Sequence, residues 1–177
     1  GRRDEAFIDV ECIVGGIRVQ PLTAERFLIL DGIRSPFVCG TVPKPEDVAI
    51  LLWVCSSGFS TTDRKARGRF IKECRKVKFE QACKDAVKYI SDAFADSPGG
   101  GEPSSQPCCS WCAAIVDIIA SEYHWSERDI LKVPLRRLFQ YIRMITLRNN
   151  PKAIFFNESE RIRSAWLAEQ NQTLKKN

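Results

Sequence analysis

A mostly α-helical chain, a helical bundle-like domain carrying one small N-terminal β-hairpin, is the fold class the sequence predicts. Three observations predict it. Apolar residues recur at helical spacing from Phe79 to Phe94 and again from Leu135 to Ile145. The run Val48 to Cys55 is apolar on every side, the mark of a helix buried at the centre of a domain. Short β-prone runs occur only near the start, where Phe7 to Val14 and Ile17 to Val19 flank Gly15-Gly16.

Taken in order, the hairpin comes first and needs something to pack on, because two strands alone are marginal in water. Thr23 is placed to cap a short helix carrying Phe27, Leu28 and Leu30, which Gly32 and Ser35-Pro36 stop. After a loop holding Cys39-Gly40 and Pro43, Pro45-Glu46-Asp47 opens the apolar helix, with acids on its positive dipole end. Ser56-Ser57-Gly58 ends it, and Ser60 or Thr61 is expected to cap the basic stretch that follows. From Lys78 onward Phe79, Cys83, Val87, Ile90 and Phe94 define an apolar face. Residues 98–107 are rich in Gly, Pro and Ser and predict a flexible linker between an N-terminal part, 1–97, of hairpin plus helices and a C-terminal helical part, 108–177. In that second part Trp111, Ile115, Ile118, Ile119 and Tyr123 align on one helix, and Ser126 starts a short capped turn. Beyond Pro134 a stripe of Leu135, Leu138, Phe139, Ile142 and Ile145 leaves Arg136, Arg137, Gln140 and Arg143 facing outward. Asn149-Asn150-Pro151 breaks that helix, and a last segment from Glu158 to Gln170 sets Ile162, Ala165 and Trp166 on one side.

The 177 residues suffice to bury a sizeable core, and 44% hydrophobic with 28% charged residues is ordinary for a globular chain. No apolar run approaches the ~20 residues that span a bilayer, and Gly1-Arg2-Arg3-Asp4-Glu5 is not followed by the apolar core of a secretory signal. Eight cysteines without an export signal point to reduced thiols; Cys12, Cys39, Cys55, Cys74 and Cys83 lie in or beside apolar runs and read as small buried hydrophobes. The net charge of +5 is local. Eight bases and three acids between Asp63 and Glu80 account for all of it, so the remainder sums to zero.

Candidate chemistry is thin. Cys108, Cys109, Cys112 and His124 could supply four zinc ligands, yet structural zinc wants two separated pairs, and here three thiols crowd within five residues with the histidine a helix away. Packing of these thiols beneath Trp111 is the expected role, and no metal or other cofactor is expected. A thiolate stabilised by the helix start would also lack a second histidine as base. His124, between Tyr123 and Trp125, is expected to pack at an interface. The carboxylates are scattered among bases and offer no acid/base pair, so the pattern does not predict an enzyme. Arg64, Lys65, Arg67, Arg69, Lys72, Arg75 and Lys76 could neutralise phosphates, but only Phe70 and Phe79 supply aromatics among them, and a solvated or protein-docking face is the first expectation.

Leu22-Thr23-Ala24-Glu25-Arg26-Phe27-Leu28-Ile29-Leu30, Ser35-Pro36-Phe37-Val38-Cys39-Gly40 and Pro43 to Trp53 resemble small proteins encoded in tail gene clusters of tailed phages and prophages. Tyr123-His124-Trp125-Ser126 through Pro134-Leu135-Arg136-Arg137-Leu138-Phe139-Gln140-Tyr141 is similar to an element of the same set, in which glycine is common where His124 stands. The resemblance implies a non-enzymatic tail assembly chaperone, made in the bacterial host cytoplasm, that holds a tape measure type protein while tail tube subunits are recruited. Trp125, Phe139, Tyr141 and Trp166 are the residue types that would anchor such a partner. Two alternatives stand beside it: a structural subunit of the virion, in the tail or at head completion, and a nucleic-acid-binding accessory protein using the 64–78 stretch.

Overall fold

The computed structural model describes residues 4–8, 11–97 and 110–153. The chain is mostly helical, with one two-stranded hairpin. A 3-10 turn, Asp4–Phe7, precedes the antiparallel strands β1 (Cys12–Val14) and β2 (Ile17–Val19), in which Cys12 pairs with Val19 and Val14 with Ile17. Eight helices follow among the described residues: α1 (Ala24–Gly32), α2 (Pro36–Cys39), α3 (Pro45–Cys55), α4 (Arg64–Cys74), α5 (Phe79–Phe94), α6 (Trp111–Tyr123), α7 (Glu127–Lys132) and α8 (Leu135–Asn149).

Helix α3 is central, as its composition predicts. Val48, Leu51, Leu52, Trp53, Val54 and Cys55 are all buried, each worth about 1.5–3 kcal/mol for the larger side chains. The Asp47 carboxylate accepts the Lys44 N–H at 2.7 Å and holds the helix start. At the other end the orphan carbonyls find partners from outside the helix: Gln20 N–H donates to the Cys55 carbonyl at 2.8 Å, and the Arg26 guanidinium donates to the carbonyls of Cys55 (3.4 Å) and Ser56 (3.2 Å). A cation at this helix end also complements the dipole.

One buried cluster contains residues from both sides of the 98–109 segment, from Val14 to Ile145. The seam between them is polar as well as apolar. Leu135 N–H donates to the Leu22 carbonyl at 2.8 Å beside an isolated bridge between Thr23 and Pro134. Arg136 Nε lies 2.7 Å from Asp96 Oδ2, whose side chain is 4% exposed. Phe27, Phe94, Trp111 and Phe139 then join α1, α5, α6 and α8 through ring contacts of 5.1–5.9 Å.

Several expectations are corrected. Phe7 ends the 3-10 turn and does not belong to a strand. Asp63, not Ser60 or Thr61, caps α4, its carboxylate accepting Ala66 N–H at 2.8 Å, while Ser60 Oγ accepts the N–H groups of Thr62 and Asp63 in the preceding turn. Leu28 and Cys39 are exposed. The buried face of α5 is Ala82, Ala86, Tyr89 and Ala93; Val87 is 60% exposed and Phe79 sits at the edge. Small side chains win that face because the hairpin comes so close: a Cβ on Gly15 would lie 2.9 Å from Ala82 Cβ. Asp85 accepts the Gly15 N–H at 3.0 Å and Tyr89 donates its hydroxyl to the Gln20 carbonyl at 2.7 Å, so polar groups on α5 fix the hairpin too. Arg143 is buried at 4% exposed, one turn beyond Phe139 in the same column of α8, and Arg136 and Arg137 turn onto other elements. The final Glu158 to Gln170 segment and the linker lie outside the described residues.

Gly15 has φ +58°, and a Cβ there would also meet Val77 Cγ1 at 2.5 Å. Gly15→Ala is therefore expected to destabilise by about 3 kcal/mol, read as a lower urea midpoint at unchanged m-value.

Burial generates a second prediction. Desolvation pushes the Cys55 thiol up to about 11 from 9.0 and raises the Tyr89 hydroxyl as well. The neutral forms are held in the folded state, so the stabilising contribution is complete below pH 9 and is lost as the unfolded thiol ionises above it. From pH 9 towards 11, urea titration of the wild type should show up to about 1.4 kcal/mol lost per pH unit for Cys55, a loss that Cys55→Ala lacks for that group.

Candidate protein-docking site

The residues that bring the site together begin with the reversal after α6. His124 takes the left-handed conformation (φ 56°, ψ 29°) and its N–H donates to the Ala120 carbonyl at 2.9 Å, ending the helix. That reversal sets Tyr123 and Trp125 side by side, ring centroids 5.7 Å apart. Ser126 then caps α7 by accepting Asp129 N–H at 3.2 Å, which fixes the direction in which the chain leaves.

Tyr141 rises from α8 between these rings, 5.5 Å from Tyr123 and 5.3 Å edge-on from Trp125. Phe7 closes the cluster 5.7 Å edge-on from Tyr141. Two guanidiniums cover its flanks. Arg137 lies 5.8 Å above the Phe7 ring and donates to the carbonyls of Ala6 and Phe7, both at 3.3 Å. Arg148 lies 5.6 Å above Tyr123 and pairs with Glu122 at 2.8 Å. Such cation–π contacts contribute about 0.5–1 kcal/mol each at exposed sites. Phe7 remains 49% exposed, and Tyr123, Trp125 and Tyr141 are half-buried. Tyrosine, tryptophan and arginine together on one accessible patch form the composition that anchors protein interfaces.

Arg137 also borders a cleft of about 400 Å³ between the hairpin, α5 and the start of α8. Cys12, Tyr89 and Ala93 line it with apolar atoms, the exposed Ile8 and Ile13 stand at its mouth, and Lys88, Asp92 and Arg136 give it a charged rim. The aromatic cluster and the cleft share a wall, so they make one continuous surface.

Of the expected anchors, the structure brings together Trp125 and Tyr141. Phe139 is corrected: it is 3% exposed, packed 5.7 Å from Phe94, because it falls on the Leu135-Leu138-Ile142 stripe. Trp166 lies outside the described residues. Tyr123, Phe7, Arg137 and Arg148 were not anticipated; adjacency to Trp125 signals Tyr123, whereas Phe7 stands more than a hundred residues away in the chain and leaves no local signal.

The other sites change as well. Cys112 is buried, and desolvation followed by the nearby Glu127 charge raises its pKa, the reverse of an activated thiolate. His124 is exposed. The length of α6 puts it about 18 Å from Cys112, too far to share an ion. Cys108 and Cys109 lie outside the described residues, among which no group of three or more His, Cys, Asp or Glu side chains is gathered for a metal. No described helix is long and apolar enough to cross a membrane. Arg64, Lys65, Arg67, Arg69, Lys72, Arg75 and Lys76 are all exposed. No family model, curated protein or solved structure matches the chain.

A β-carbon at a left-handed helix end costs about 1 kcal/mol. His124→Gly is expected to raise stability by about 0.5–1 kcal/mol in urea unfolding while leaving the Trp125 environment unchanged by fluorescence.

Proposed function

We propose that the protein is a non-enzymatic assembly factor of the phage tail assembly chaperone kind. It acts in the bacterial host cytoplasm by holding an amphipathic helical stretch of a long tail protein against the aromatic cluster and its adjoining cleft. One observation carries this reading. The segments that resemble tail-cluster proteins are not scattered: Leu22 to Leu30, Ser35 to Gly40 and Pro43 to Trp53 pack with Tyr123 to Tyr141 as one unit. Helix α1 contacts α2, α3 and α7, and Leu22 bonds directly to Leu135. The unit ends in the accessible rings of Trp125 and Tyr141.

Supporting physics lies in the surface itself. An apolar floor with alternating charges at its rim accepts the apolar face of a helix and sets its register. Rings already packed tilted or edge to face against one another and covered by Arg137 and Arg148 lose little conformational entropy on binding, which favours affinity.

The test is co-expression with the tape measure type protein of the same tail gene cluster. The wild-type chain should raise the partner's soluble yield and co-purify with it. Trp125→Ala with Tyr141→Ala should weaken the isolated complex by about 30-fold or more, with helicity retained by circular dichroism. Unchanged affinity in the double variant would remove the aromatic surface from the interface. Stoichiometric recovery of the chain in finished particles would indicate a virion subunit instead.

A further inference from the structure

The geometry points to a second binding surface, on α4, for the phosphate backbone of duplex nucleic acid. At about 100° per residue, Arg64, Lys65, Arg69, Lys72 and Arg75 fall within an arc of about 140° on the side of α4 that faces away from α3. Lys76 continues the row into the following turn, and Arg67 flanks it. Each of these seven bases is exposed, and none forms an ion pair with a described residue. The acids nearby, Asp63 at the helix cap, Glu73 on the helix body and Glu80 beyond it, offset only part of the row and leave the stretch at +5.

The opposite side of α4 decides which polyanion fits. Phe70 packs against Trp53 of α3 at 5.5 Å, and Cys74 is buried. No apolar face is left to enter a lipid surface, and Phe70 is not presented for stacking on unpaired bases. The outward face also has no apolar centre of the sort that protein interfaces carry. What remains is a row of guanidinium and ammonium groups about 16 Å long on a rigid helix. Arginine forks grip phosphate oxygens in pairs, and regularly spaced phosphates along a duplex match such a row without reading its sequence. Since all of the chain's net charge of +5 resides between Asp63 and Glu80, the same face orients the molecule towards a polyanion from a distance.

The experiment uses the full chain and a fluorescein-labelled random duplex of about 25 base pairs, titrated by anisotropy. With four to five phosphates neutralised, affinity should fall about 200-fold between about 50 and about 200 mM salt. Lys65→Gln with Arg69→Gln and Lys72→Gln keeps good helix formers and should make the log–log salt slope shallower by about 3. Charge reversal of the same three residues should abolish binding. Reversing the exposed Lys84, Arg128 and Lys132, elsewhere on the surface, should leave most of it. The proposal is overturned if the wild type does not bind the duplex, if the two reversed triples lose binding equally, or if phosphatidylserine vesicles are bound and the duplex is not.

Discussion

Helix α3 has no polar face, and everything around it exists in relation to that constraint. A helix apolar on every side must be surrounded, and α1, α4, α5 and β2 surround it. Enclosure creates a second demand, because the carbonyls at its C-terminal end are sealed from water and each needs a donor. Gln20 and Arg26 supply them from the strand exit and from α1, while Ser56 turns its hydroxyl back on the Trp53 carbonyl at 2.8 Å. Apolar burial thus sets where the neighbours lie, and hydrogen-bond satisfaction sets how they are oriented. Trp53 extends the same logic outward: its contacts with Phe59 and Phe70 pin α4 by one side and leave the basic side facing solvent.

The second organising feature is the seam between the chain's two parts. Leu22 and Leu135 share a backbone hydrogen bond, and Asp96 is a nearly buried carboxylate held by Arg136. Burying such a pair contributes little net stability, but removing one partner leaves the other charge without compensation. Its effect is therefore specificity of arrangement. With α8 fixed in this way, Arg137 reaches the 3-10 turn and Tyr141 reaches Phe7. The proposed docking surface depends on that arrangement, since its four rings come from three separate stretches of chain. The two faces proposed for binding are of opposite character, one aromatic and creviced, the other cationic and convex, and each is held by a contact with the core.

The sequence by itself determined the helices, most of their ends and the central place of α3. Thr23, Pro45, Ser126 and Pro134 act within one turn of themselves, and the period of the α8 stripe names its buried apolar residues without help from the rest of the molecule. Trp125 and Tyr141 stand out by residue type as candidate anchors, and the α4 bases by charge. The tertiary structure alone decided the phase of α5, where the approach of Gly15 favours alanine over the larger Val87. It also decided that Arg136, Arg137 and Arg143 turn inward and that Phe7 joins the aromatic cluster. The reason is common to all of these. Caps, breaks and periodicity are short-range interactions written in neighbouring residues, whereas which face of a helix is covered, and by what, depends on partners that meet only once the chain has folded.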